Sequence, residues 1–160
     1  MTKSTSNNNI SGVFVIPSIT WSDDRGYFRE LWRTDRKEMP RQIAQTSVTM
    51  TLPGVIKAFH GHDHQDDCWY VAQGRARVVL VDRRKRSATS GQTQTIYCGE
   101  DAPAMIVIPR GVFHGYQVLG HTPVLLMYHT TQMYESAHPD ELRIPFDDPT
   151  IGYDWTIKNR

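Results

Sequence analysis

Cysteine is nearly absent from this 160-residue chain, which has two, Cys68 and Cys98. Their spacing fits neither a zinc site nor a redox pair. The polar opening MTKSTSNNNISG carries no apolar stretch of the kind a signal peptide needs. Both cysteines are therefore expected to be free thiols in a reducing cytoplasm. Long apolar runs are missing as well. Residues 104–108 and 124–127 are the longest, and both are far too short to span a bilayer, so no membrane partner is expected. Charge of one sign is also lacking, with 18 Lys plus Arg against 17 Asp plus Glu, which leaves no overall field to hold nucleic acid. The basic run Arg83-Arg84-Lys85-Arg86 is expected to be a solvated hairpin turn, because Ser87, Thr89, Ser90 and Gly91 follow it. Strong helical periodicity, internal repeats and linkers are all missing, and only residues 34–39 could form a turn or two of helix.

Short segments of strand character are present instead. Residues 12–16, 26–32, 42–51, 55–62, 68–72, 75–82, 93–97, 105–109 and 123–130 are rich in Val, Ile, Thr and aromatics. Gly, Pro, Asp or Ser separates most of them. Many short strands at near-regular spacing imply an all-β sandwich or barrel. One domain over residues 1–160 is expected, with residues 1–10 a disordered arm. The apolar run Val78–Val79–Leu80–Val81 breaks the alternation of its strand, which implies cover on both faces.

The stretch GVIKAFHGHDHQDDCWYVAQG, residues 54–74, carries the chemistry. His60, His62 and His64 alternate, so they share one face of a strand unless a turn intervenes, and Gly61 and Gln65-Asp66 predict fraying after His62. Such a cluster can be a metal cage, an acid/base centre or a histidine-rich surface loop. The order Gly54, His60, His62, Asp67, Gly74 resembles the first cupin motif, with Asp67 in place of the usual glutamate. Pro109-Arg110-Gly111-Val112-Phe113-His114 resembles the second, P-x-G-x-x-H. Together they imply a cupin jelly roll, an antiparallel β-barrel with its site inside.

A closer resemblance lies outside those motifs. Asp24-Arg25-Gly26-Tyr27-Phe28-Arg29-Glu30, Gln45 ahead of Gly54-Val55-Ile56-Lys57-Ala58-Phe59-His60, and Val81-Asp82-Arg83-Arg84 are similar to elements of the dTDP-4-dehydrorhamnose 3,5-epimerase family. So are Ile108 through Tyr116, Tyr128-His129-Thr130-Thr131 with Tyr134, and Asp147-Asp148-Pro149 through Trp155. The resemblance implies an isomerase, an epimerase of a nucleotide-diphosphate-linked 4-keto-6-deoxy sugar, with dTDP the implied nucleotide. Its chemistry inverts C3 and/or C5 through an enolate, without a cofactor. It assigns His60 as catalytic base and Tyr128 as acid. Imidazole's reference pKa of about 6.5 and the phenol's of about 10 suit those tasks. It places Arg25 and Lys57 near the phosphates, Phe28, Glu30, Gln45 and Tyr134 at the nucleotide end, and His114 in the pocket. For His60 and Lys57 both to face that pocket, the strand needs a bulge. The resemblance further implies a homodimer built by exchange of the N-terminal segment, residues 10–16.

Two departures follow. Where the family has a lysine that stabilises the enolate oxygen, this chain has Asp67. Two like charges about 4 Å apart repel by roughly 4 kcal/mol at an effective dielectric near 20, on the order of a thousandfold in rate. Either Asp67 is protonated, or Lys57 or His62 serves that oxygen, or a divalent transition metal sits there, held by His60, His62, Asp67 and His114. A metal-bound His60 cannot also be a free base. The family's aspartate behind the catalytic histidine is also missing, so Asp66, Asp67 or Asp82 is expected in its place. The alternatives are a metal-dependent cupin isomerase or oxygenase, a sugar 3,4-ketoisomerase, and a non-catalytic nucleotide-sugar-binding cupin. The pathway is open between surface polysaccharide and antibiotic sugars.

Overall fold

The computed structural model describes residues 9–158. Twelve strands are present: β1 Phe14–Pro17, β2 Thr20–Asp23, β3 Gly26–Arg29, β4 Gln45–Thr51, β5 Ile56–Gly61, β6 Asp67–Gln73, β7 Arg75–Asp82, β8 Thr93–Gly99, β9 Ala104–Ile108, β10 Val112–Leu119, β11 Val124–Thr130 and β12 Leu142–Arg143. They form two five-stranded antiparallel sheets, ordered β1-β9-β6-β11-β4 and β12-β5-β10-β7-β8, and a separate β2-β3 hairpin. This is the expected all-β cupin jelly roll.

Period-two alternation sorts the side chains into three clusters. Between the sheets lie Trp69, Val71, Ile106, Ile108 and Leu126 from the first and Val78, Leu80, Val112, Tyr116 and Val118 from the second. The outer face of the first sheet packs Tyr70, Met105 and Val107 against Met39, Leu31 and Trp32. The outer face of the second buries Phe59, Val79, Val81 and Phe113 beneath Trp155 and Tyr153. The unbroken apolar run of β7 is thus covered on both faces, and the C-terminal segment supplies the second cover.

Several expectations shift. Residues 34–39 form turns and no helix. The strand expected over 26–32 ends at Arg29 and pairs with β2 in a hairpin whose Asp23 accepts from the Arg25 amide at 2.9 Å. Strand β10, which is not among the expected strands, is a central strand between β5 and β7. Residues 1–8 of the expected arm lie outside the described residues. Ile10 is buried in the main core, at 1% exposure. Of residues 10–16, expected to cross to a neighbour, Phe14 to Ile16 pair with β9 of their own chain. The run after Asp82 is the expected turn: the buried Asp82 carboxylate accepts from Arg84, Ser87 and Thr89. Both cysteines are buried free thiols, and burial pushes each up to about 12.

Candidate active site

A cavity of about 1210 Å³ opens between the sheets and is lined by Gln45, Lys57, His60, Asp67, Tyr128 and Tyr134, among others. The second sheet supplies Lys57 and His60 from β5; the first supplies Tyr128 from β11, Asp67 from β6 and Gln45 from β4. His60 and Tyr128 therefore face one space from opposite walls.

The expected bulge is present. Tyr116 pairs with Lys57 and His114 with His60, so two residues of β5, Ala58 and Phe59, stand opposite Gly115 alone. The extra residue restores Lys57 and His60 to one face. Gly115 permits it: a Cβ there would lie 2.3 Å from the Ala58 Cβ and 2.6 Å from its Cα. The Lys57 ammonium donates to Thr49 Oγ1 at 3.0 Å.

His114 is buried behind His60, and its Nδ1–H donates to the Val112 carbonyl at 2.9 Å. A carbonyl only accepts, so in the neutral ring the lone pair is on Nε2, which faces His60 Nε2 at 3.0 Å. His60 Nε2–H is then the donor, and its own lone pair is on Nδ1. The expected aspartate partner of His60 is replaced by this histidine. Asp66 instead accepts from the Arg110 amide at 2.9 Å, Asp82 holds the β7–β8 turn, and Asp67 faces His62 and His114. Burial, then His114, pushes His60 down to about 2, so the ring is neutral.

Asp67 is 2% exposed. Its Oδ1 accepts from Gln65 Nε2 at 2.7 Å and its Oδ2 from Trp69 Nε1 at 3.1 Å. Burial raises its carboxyl, but hydrogen bonding to its oxygens outweighs that and brings it below the ordinary carboxylate value. The protonated form is therefore disfavoured, and an anion stands in the lysine position. His62 donates from Nδ1 to the carbonyl of Asp140, whose carboxylate accepts from the Asp63 and His64 amides at 2.9 Å each.

Three expected residues are elsewhere in the chain. Arg25 pairs with Asp23, Phe28 packs on Trp21 with ring centroids 5.7 Å apart, and Glu30 pairs with Arg33. None of the three lines the cavity. Gln45 and Tyr134 do, and Gln45 Oε1 accepts from the Tyr134 amide at 2.9 Å. Two residues absent from the sequence-based set belong to the site. Trp69 stacks edge-on to His114 at 4.8 Å and follows Asp67 by two residues on the same strand face, a signal the alternation carried. Asp140 is 78 residues from His62, and no local pattern could have linked them.

Two antiparallel sheets with a histidine-lined cavity between them define a small-molecule cupin. A family model described as dTDP-4-dehydrorhamnose 3,5-epimerase matches residues 7–160. The chain belongs to that family. It is 49% identical over 151 residues to the spore coat polysaccharide biosynthesis protein SpsL of Bacillus subtilis, covering 94% of this chain and 99% of that one. It is 38% identical to the "Probable low-salt glycan biosynthesis epimerase Agl13" of Haloferax volcanii, covering 94% and 97%. The crystal structure of a Legionella pneumophila dTDP-6-deoxy-D-glucose-3,5-epimerase in complex with dTDP-4-keto-L-rhamnose superposes with a TM-score of 0.84 at 26% identity, covering 96% of this chain and 84% of that one.

Proposed function

We propose that the protein, as one cupin domain, is an isomerase that epimerises a dTDP-linked 4-keto-6-deoxy sugar at C3 and/or C5. The observation that carries this is the placement of His60 and Tyr128 on opposite walls of one cavity. The C4 carbonyl acidifies the neighbouring C–H bonds. Neutral His60 removes such a proton, and the bonding electrons move onto the C4 oxygen to form an enolate. Tyr128 returns a proton to the other face of the carbon, so configuration inverts. His60 then gives up its proton and Tyr128 regains one through solvent; no electron changes owner, and the reaction needs no redox cofactor. The low proton affinity of His60 is offset in the reaction by the negative charge that forms beside it. Lys57, a cation in the cavity wall, serves the enolate oxygen or the diphosphate, and His114 orients His60.

Gln45 and Tyr134 serve the nucleotide from within the chain. Arg25, Phe28 and Glu30 serve it only from a partner subunit, which makes the working unit a homodimer. The relative named for spore coat polysaccharide supports a place in surface-glycan assembly. Among the described residues no helix is long and apolar enough to cross a membrane, and a cytoplasmic location accords with the two thiols.

The test is deuterium uptake from heavy water into dTDP-4-keto-6-deoxyglucose, followed by mass spectrometry. The wild-type protein exchanges one or two carbon-bound protons. His60→Ala and Tyr128→Phe each slow exchange by about a hundredfold or more. Absence of exchange in the wild type rejects the reading.

A further inference from the structure

The ligating atoms of His60, His62, Asp67 and His114 all lie within 4.8 Å of one another, and three of the four residues are buried. Individual separations are 3.0 Å for His60 Nε2 to His114 Nε2, 3.5 Å for His114 Nε2 to Asp67 Oδ2 and 3.7 Å for His62 Nε2 to Asp67 Oδ1. Ligands about 2.0–2.2 Å from a transition metal stand roughly 3 to 4.3 Å apart. A small rotation of one ring brings the widest pair within that range.

The surroundings of the cluster point the same way. His62 and His114 each spend their Nδ1–H on a backbone carbonyl, Asp140 and Val112 respectively. Both Nε2 lone pairs are thereby turned inward, as in histidines that ligate metals. Each Asp67 oxygen accepts one side-chain hydrogen bond, from Gln65 and from Trp69, and keeps a further lone pair. Among the described residues the only basic groups within ion-pair distance of this buried carboxylate are the two histidines. A buried anion facing two inward lone pairs is a cluster of acceptors without a cation.

We propose that His60, His62, Asp67 and His114 bind one divalent transition metal ion, and that metal binding and proton transfer by His60 are mutually exclusive states of this cavity. Three imidazoles and a carboxylate suit Zn, Co, Ni, Mn or Fe. Metal binding stands independently of the epimerase reading; only its effect on exchange rests on that reading. With the metal seated on His60 Nε2, the single proton of the neutral ring must sit on Nδ1, so no lone pair is left to receive the substrate proton, and exchange stops.

The full-length protein, stripped with chelator, is titrated with Co²⁺. Visible d–d absorption saturating at one equivalent is the expected result, reversed by Zn²⁺. His62→Ala and Asp67→Asn each weaken Co²⁺ binding by more than about a hundredfold, beyond the loss from an outer-shell change. His60→Ala, at the partly exposed ligand, weakens it by about tenfold or more and shifts the band. Circular dichroism of the metal-free variants confirms that each is folded. Absence of a d–d band at millimolar Co²⁺, or equal affinity in His62→Ala, overturns the site; unchanged binding and spectrum in His60→Ala overturns the four-ligand set. Deuterium exchange separates the two readings. Stripped protein that exchanges, and Co²⁺-loaded protein that does not, is the expected pair. Equal exchange in both overturns the exclusivity. No exchange by stripped protein rejects the epimerase reading, while the Co²⁺ spectrum still decides the metal.

Discussion

Asp82 shows at the residue scale why a carboxylate can be buried without loss. It has 0% exposure, and its oxygens accept from the Arg84 guanidinium at 2.8 Å, Ser87 Oγ at 2.6 Å and Thr89 Oγ1 at 2.7 Å. Burial raises its pKa, but these donors and the Arg84 amide outweigh it, so the folded value lies below the ordinary carboxylate range. A depressed folded pKa contributes stability that is fully present above the unfolded value of about 3.9. That stability is lost as pH falls through the folded value. Asp82→Asn is therefore expected to cost about 2 kcal/mol near neutrality. Urea unfolding from pH 6 down to pH 2 should show the gap to wild type narrowing only below about pH 4; a gap that is constant across that range contradicts the ionic account. The same residue marks a limit of sequence reading. Its candidacy as the partner of His60 is reasonable from composition alone, but in the turn Arg84 claims its Oδ1 and the serine and threonine that follow claim its Oδ2. The partner that does meet His60 is His114, which lies 54 residues away on the paired strand.

At the scale of the element, strands of Val, Ile and Thr with alternating polarity were legible, and β7 matched residue for residue. Strand β10 was not. The Pro-x-Gly of a motif stands just before it, and a glycine interrupts it at the point where β5 bulges. Those features mark loops in a chain read alone, and only the neighbouring strand reveals their use. The need for a bulge in β5 was nonetheless readable, because Lys57 and His60 have opposite parity in a regular pleat. Gly115→Ala tests the coupling of the two strands. The new methyl would meet the Ala58 Cα and the Lys57 carbonyl oxygen, at 2.6 and 2.8 Å, so backbone must move. Overpacking of this kind costs about 1–3 kcal/mol. The displaced bulge would also turn Lys57 and His60 out of register, so exchange should fall by more than the stability loss explains. Gly120→Ala has a positive φ of 74° but open space for a methyl, which makes it the control: backbone strain without contact with the cavity. Denaturant unfolding alongside deuterium exchange at full folding separates these outcomes.

The whole molecule has surface that one chain does not cover. On the outer face of the first sheet, residues 30–39 shield Tyr70, Met105 and Val107. Beyond them, Val48 and Met50 of edge strand β4 remain 60% and 65% exposed. The β2–β3 hairpin stands apart with Tyr27 and Phe28 at 59% and 62% exposure, and with Arg25 on its tip. An apolar edge strand left open is an aggregation hazard that soluble proteins cover. A second copy would cover it, and the same contact would bring the stranded Arg25, Phe28 and Glu30 to a neighbour's cavity. Light scattering should therefore give twice the chain mass of 18.4 kDa. Val48→Asp with Met50→Asp should shift the species to monomer while circular dichroism stays that of a β protein. If the hairpin binds nucleotide across the interface, the monomer loses substrate affinity first: KM rises by about tenfold or more, roughly 1.4 kcal/mol of binding, with a smaller change in kcat. Phe28→Ala in the intact dimer should reproduce the KM effect without changing mass. A wild-type monomer with full activity would leave the hairpin without a role in binding and return the whole site to residues of a single chain.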